Sequence, residues 1–407
     1  MVNAIHGFLN GSICRNNWTI FEVFGRRNRC RKKFALGFLV VPYIRTIFFK
    51  MTILKIVHFW KGVHIKKTAM KTKKLISYLW VAVFALVGLQ GCNEDDGVKI
   101  GLLMGDSSQE RWQQDQTFFV NKVQELGGTA IVRSASNDPN RQLEQAKELL
   151  NSGVDVLVVV PVSASGAGSI VNAAHEAGVK VLAYDRIIQN APLDFYISFD
   201  NVRVGELQAS YVLKQKPEGQ YVIISGPESD NNSSLFYKGQ MKALDDAIEA
   251  GDVEVVYDGK VEKWDGEYAY QMMKGVLDSI APGVDVVIAA NDDLANGVRS
   301  ALREKEMLGD VLLTGQDADL NACRAILAGH QTMTVYKPIQ ALANTAAIAA
   351  VSLAQHGVAE GLDHRVNNGS VEVPSILLDP IPVDKQNMRG NVVADGFHEE
   401  GDLFGGN

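Results

Sequence analysis

Seven short polar and aromatic clusters punctuate the chain between Glu110 and Pro338. They are Glu110-Arg111-Trp112, Tyr184-Asp185-Arg186, Asp230-Asn231-Asn232, Lys263-Trp264, Asn291-Asp292, Gln316-Asp317 and Tyr336-Lys337-Pro338. Asp, Asn and Arg each hold two functional atoms in one plane and can engage neighbouring hydroxyl groups in pairs, most strongly where one partner is charged. Trp112 and Trp264 offer large rigid apolar faces. Together these types suit a small neutral solute with hydroxyls around its edge and weakly apolar faces. An analogue lacking one hydroxyl would leave buried polar groups unpaired, at about 1–3 kcal/mol each.

Taken singly, each cluster has a plainer reading. Asp185-Arg186 could be a surface ion pair contributing about 0–1 kcal/mol. Asp230-Asn231-Asn232 reads as a turn and N-cap for a helix from Ser233, and Asn291-Asp292 as a second cap. Either tryptophan could be core filler. Asp317 with Asp319 is weak evidence for a cation, and Lys337 before Pro338 announces only the start of a helix. What favours a shared site is that every cluster follows an apolar, strand-like run. In open α/β sheets, ligands bind outside the carboxyl ends of the strands.

The elements that must position these clusters alternate strand and helix from Val98 onward. Strands are expected at 98–104, 129–133, 154–160 and 179–184, with helices at 112–126, 139–150 and 167–177 between them. A second series places strands at 220–224, 253–257, 284–289, 311–314 and 332–335, and helices at 233–250, 266–280, 294–305 and 320–328. Continuous apolar runs such as Val156-Leu157-Val158-Val159 are typical of parallel strands covered on both faces. The fold class is therefore α/β, with two doubly wound parallel-sheet lobes. An Ala-rich helix at 339–355 and a strand at 373–378 follow the second series, and a crossing back there would give a hinge of several strands and discontinuous lobes.

At 407 residues the chain exceeds one ordinary core. Residues 1–91 carry sixteen Lys/Arg against the single acid Glu22, while the remainder carries 24 basic and 46 acidic residues. An acidic globular part argues against nucleic acid, which needs clustered cations. Lys71, Lys73 and Lys74, the apolar stretch Leu75 to Leu89, and Gly91 before Cys92 read as a signal peptide at 70–91, with Cys92 acylated and anchored in membrane lipid. Residues 92–97 read as a tether. Residues 1–69 are expected to be a misassigned extension, with Met70 the true start. Of the four cysteines, the mature chain then keeps Cys92 and Cys323, the latter read as a small helical residue. No metal-ligand spacing or cofactor fingerprint occurs, so neither metal nor cofactor is implied.

Longer motifs bear on function directly. Val181-Leu182-Ala183-Tyr184-Asp185-Arg186, Asp194 to Asn201, Gly315-Gln316-Asp317-Ala318-Asp319-Leu320 and Thr332 to Pro338 closely resemble the D-xylose-binding branch of the ribose/galactose-type sugar-binding family. The resemblance runs from about Val98 to Phe404. It implies a type 1 periplasmic binding protein fold, a monomer whose lobes, 98–200 with 338–370 and 201–337 with 371–407, are joined by a multi-crossover hinge and close on a monosaccharide. It carries ligand positions onto Arg111, Trp112, Asp185, Arg186, Asn232, Trp264, Asn291, Asp317 and Lys337. The implied partners are a sugar, D-xylose foremost, and an ABC transporter permease, in the periplasm or cell envelope. A membrane sensor kinase or chemoreceptor is the alternative partner. An enzyme would need a phosphate loop, nucleophile elbow or metal triad, and a transcription regulator a basic helix-turn-helix before the core; neither is found.

Overall fold

The computed structural model describes residues 97–405 apart from 109, 280–282 and 360–363. The expected extension, signal segment and Cys92 lie outside the described residues, as does all but the last residue of the tether.

Five strands build most of the first sheet: β1 (Lys99–Met104), β2 (Thr129–Ser134), β3 (Val156–Val159), β4 (Lys180–Tyr184) and β5 (Phe195–Phe199). Between them run helices α1 (Glu110–Glu125), α2 (Pro139–Asn151) and α3 (Gly168–Glu176). Helix α2 shows why the chain turns where it does. Asp138 caps it through its carboxylate, 2.8 Å from the Asn140 amide, and Pro139 occupies the first turn, where a missing N–H costs nothing. The second sheet holds β6 (Gly219–Ser225), β7 (Val253–Lys260), β8 (Val286–Ala289) and β9 (Leu312–Thr314) in the order β7-β6-β8-β9, all parallel. Its helices are α4 (Asn201–Gln215), α5 (Asn231–Ala250), α6 (Gly266–Ser279), α7 (Asp292–Glu304) and α8 (Leu320–Ala328).

Each sheet is buried on both faces, as its unbroken apolar strands require. On one face of the first sheet, Ile100, Val156, Val158 and Leu182 meet Phe119 and Val123 of α1; on the other, Leu103, Leu157 and Val159 meet Leu149 of α2 and Ile170 of α3. The second sheet is layered likewise, with Val222 and Val287 against α6 and α7, and Tyr221 and Ile288 against α4 and α5.

After β10 (Thr334–Tyr336) the Ala-rich helix α9 (Ile339–His356) does return. Its Leu342, Ala343, Ala346 and Ala350 pack in the first-sheet core beside α1. Small residues on that face let two helices share one side of the sheet. Strands β11 (His364–Asn367) and β12 (Glu372–Leu378) then extend the same sheet, giving the order β11-β12-β5-β4-β3-β1-β2, with β12 parallel to β5 and β11 antiparallel to β12. Residues 371–378 therefore belong to the first lobe and not, as expected, to the second. Val373, wholly buried in the core of that sheet, fixes the pairing. The chain crosses once more, and β13 (Ile381–Val383) pairs antiparallel with β10. The following segment packs Met388, Val392, Phe397 and Leu403 against Cys323, Ile326 and Tyr336. Three crossings, near 200, 337 and 379, thus form the hinge.

Candidate functional site

The carboxyl ends of both sheets face one cleft, and each cluster hangs from one of those ends. Arg111 and Trp112 lie on α1 after β1, Asp185 and Arg186 follow β4, and Asn232 opens α5 after β6. Trp264 follows β7, Asn291 follows β8, Asp317 follows β9 and Lys337 follows β10 at a crossing. All nine predicted residues line the cleft, joined by Asp230, Phe236 and Gln316.

At its centre is a quartet of buried charges. Arg111 reaches Asp185 Oδ2 at 2.5 Å with one terminal nitrogen and Asp317 Oδ1 at 3.1 Å with the other. Lys337, 2% exposed, lies 3.0 Å from Asp317 Oδ1 and 4.0 Å from Asp185 Oδ2. Burial alone would raise both aspartates, but Arg111 and Lys337 more than offset it, holding both carboxyls below their ordinary range. The site therefore keeps two carboxylates ionised. Behind Arg111, Asp115 accepts from its Nε at 3.3 Å and from the Tyr184 hydroxyl. Its carboxyl is pushed up to about 6 by burial, which Arg111 and Tyr184 only partly oppose.

Asp185 and Arg186, adjacent in sequence, serve different partners. Arg186 Nε pairs with Asp230 Oδ2 at 2.8 Å, across to the other lobe. Asp230 also accepts from the Trp264 indole N–H at 3.1 Å and caps α5 through the Asn232 amide. Asp230 thus caps a helix and lines the cleft at once, as does Asn291, whose side chain caps α7 through Leu294 N at 3.0 Å. Asn232, from the second lobe, bonds Asp185 of the first directly. Its Nδ2 donates to the Asp185 carbonyl and to Oδ1, both at 3.2 Å. Trp112 is 4% exposed, with the Arg111 guanidinium carbon 4.3 Å and that of Arg186 5.4 Å from its ring centre, within cation–π range. Trp264 lies against Gly226, where a Cβ would fall 2.1 Å from the indole Cη2.

Asp185 and Asp317 both adopt left-handed backbone, with φ of 61° and 99°. Such strain costs on the order of 1–3 kcal/mol per residue and persists only where surroundings impose it. Around Asp185 they do: its carbonyl accepts from Tyr196 at 3.1 Å, Ser198 at 2.7 Å and Asn232. Asp317 is held by its own amide on the Val335 carbonyl at 2.9 Å, and the next carbonyl, of Ala318, accepts from His398 at 2.7 Å.

Of the residues that sequence reasoning passed over, Asp115 and Phe236 had a signal. Each stands four positions after a named residue, Arg111 or Asn232, on the same helix face. His398 had none, since eighty positions separate it from Ala318.

A model of the periplasmic binding protein domain matches residues 100–357. The D-xylose-binding periplasmic protein of Haemophilus influenzae is 44% identical over 331 residues, 81% of this chain and 99% of that protein. Its counterpart in Escherichia coli is 45% identical over 306 residues, 75% of this chain and 92% of that protein. Among solved structures, an ABC transporter solute-binding protein from Clostridium phytofermentans with bound β-D-glucose aligns with a TM-score of 0.70 at 26% identity, covering 75% of this chain and 99% of that one.

Proposed function

This chain belongs to the periplasmic binding protein family and has its type 1 fold, and from that premise we propose that it captures a monosaccharide, D-xylose foremost, between its lobes and delivers it to an ABC transporter permease. It is a binding protein and not an enzyme. The observation that carries the sugar reading is that the charge quartet is assembled from both lobes and the hinge: Arg111 and Asp185 from the first, Asp317 from the second and Lys337 from a crossing.

These groups bond one another across a cleft whose free volume is only about 20 Å³, room for little more than one water-sized sphere. A pentose enters by opening the lobes, and its hydroxyls then replace contacts such as Arg111–Asp317 and Arg186–Asp230. Because walls from both lobes supply the replaced partners, sugar has a higher affinity for the closed state than for the open one, and closure follows from that difference. The ionised carboxylates accept from hydroxyls, the guanidinia donate to them, and Trp264 covers a C–H face. Acylated Cys92 would hold the domain at the membrane, near a permease.

Calorimetric titration of the protein with D-xylose, D-ribose, L-arabinose, D-glucose and D-galactose tests this reading. Saturable micromolar or tighter binding of D-xylose, without product, is expected; no heat with any of the five sugars would refute it.

A further inference from the structure

Gln316 stands in the turn after β9, between Gly315 and Asp317, and the residue lines the cleft with Asn291 and Trp264. The residue is 2% exposed, and its carbonyl oxygen Oε1 has no hydrogen-bond partner among the described residues. Buried side-chain acceptors are satisfied in the large majority of cases, and an exception calls for a cause. Four other buried side-chain atoms share the condition, on Gln145, Gln220, Ser225 and Gln240, but none of those residues lines the cleft.

The backbone that carries Gln316 is held on both sides. Its own carbonyl accepts from the Asp292 amide at 2.9 Å, and the Gly315 carbonyl accepts from Gln208 Nε2 at 3.0 Å. Asp292 Oδ2 returns to the turn at the Asp319 amide, 3.0 Å away. Gly315 has no room to be anything larger, because a Cβ there would lie 1.9 Å from Asp292 Oδ1.

We propose that Gln316 Oε1 accepts a hydrogen bond from one hydroxyl of the bound monosaccharide, making Gln316 a specificity-determining residue beyond the nine named above. The proposal rests on the sugar-binding reading. A neutral acceptor in this position discriminates a hydroxyl from a hydrogen at one ring carbon, whereas the charged Asp317 beside it can engage two adjacent hydroxyls.

The test is calorimetric titration of the wild-type protein, Gln316→Met and Gln316→Glu with D-xylose and with its 2-, 3- and 4-deoxy analogues. Gln316→Met keeps the side chain's length and removes the acceptor, so D-xylose should bind roughly ten- to a hundredfold more weakly. For one deoxy analogue the preference for D-xylose should fall close to one in this variant, while the other preferences stay as in the wild type. Gln316→Glu retains an acceptor and should retain that preference. Unchanged D-xylose affinity in Gln316→Met, an equal loss for all four sugars, or loss of the same preference in Gln316→Glu would overturn the assignment while leaving the sugar-binding reading intact. A wild-type protein that binds none of the sugars would overturn both.

Discussion

Replacing Asp317 by Asn changes little in shape and removes one negative charge from the quartet. Asp317 Oδ1 now meets Arg111 at 3.1 Å and Lys337 at 3.0 Å, and the side chains involved are between 2% and 11% exposed, so water screens them poorly. Removing one partner of a buried pair typically costs about 3–5 kcal/mol, because the remaining charges stay buried and under-compensated. If most of this appears in the closed, sugar-bound state, the dissociation constant rises from roughly a hundredfold to a few thousandfold. Calorimetry would read the affinity and thermal melting the fold. Lys337→Met separates the two contributions. Added to Asp317→Asn, it withdraws the under-compensated ammonium, so the double variant should be more stable than the sum of the single effects. Sugar affinity within about threefold of wild type in Asp317→Asn, or strictly additive stabilities, would refute the view that this carboxylate is charged and shared by both cations.

Two further perturbations address the supports of the site. Gly226→Ala places a methyl 2.1 Å from Trp264 Cη2 and should turn the indole out of the cleft, weakening sugar binding about tenfold with the melting temperature near wild type; unaltered affinity would show that the ring covers no sugar face. Asp292 has its carboxyl pushed up to about 7 by burial, with the Asp317 charge adding and the bonds from Gln331, Thr334 and the Asp319 amide opposing. The unfolded chain gives up that proton near pH 4, so this group's contribution to stability is complete below pH 4 and is lost as pH rises through 7. The slope is about 1.4 kcal/mol per pH unit, up to about 4 kcal/mol in all. Melting of Asp292→Asn between pH 4.5 and 8 should show a shallower decline than wild type, and an identical decline would sink the assignment.

Much of this architecture was legible because parallel sheets write themselves plainly. Runs such as Val156–Val159 are buried on both faces and carry no polar interruption, and the clusters at their carboxyl ends follow from topology. The return of α9 to the first lobe came from the family resemblance and not from periodicity. Its Ala-rich face would suit either sheet, and only contact with Ile100 and Val158 decides between them. Strand β11 escaped notice because its residues, His364 to Asn367, are mostly exposed at the sheet edge and lack apolar alternation. Within the site, residue types were readable but pairings were not. Asp185 and Arg186 look like partners in sequence, yet one turns to Arg111 and the other to Asp230 because a left-handed backbone at Asp185 sends the neighbouring side chains apart.

That backbone also explains why acids stand where glycine would be less strained. Directly after β4, and shortly after β9, the chain takes a left-handed conformation at Asp185 and Asp317. Aspartate tolerates this conformation better than most residues, and here it supplies the charge that the cations require. The two carboxylates come from opposite lobes yet share Arg111 and Lys337. Separating the lobes takes Asp317 away from Arg111, while Asp185 and Asp115 remain with it on the first lobe. Opening must therefore break this ion pair together with Arg186–Asp230, and on the proposed reading sugar hydroxyls take their place. The affinity of the closed state for sugar depends on how nearly that replacement matches the bonds it displaces.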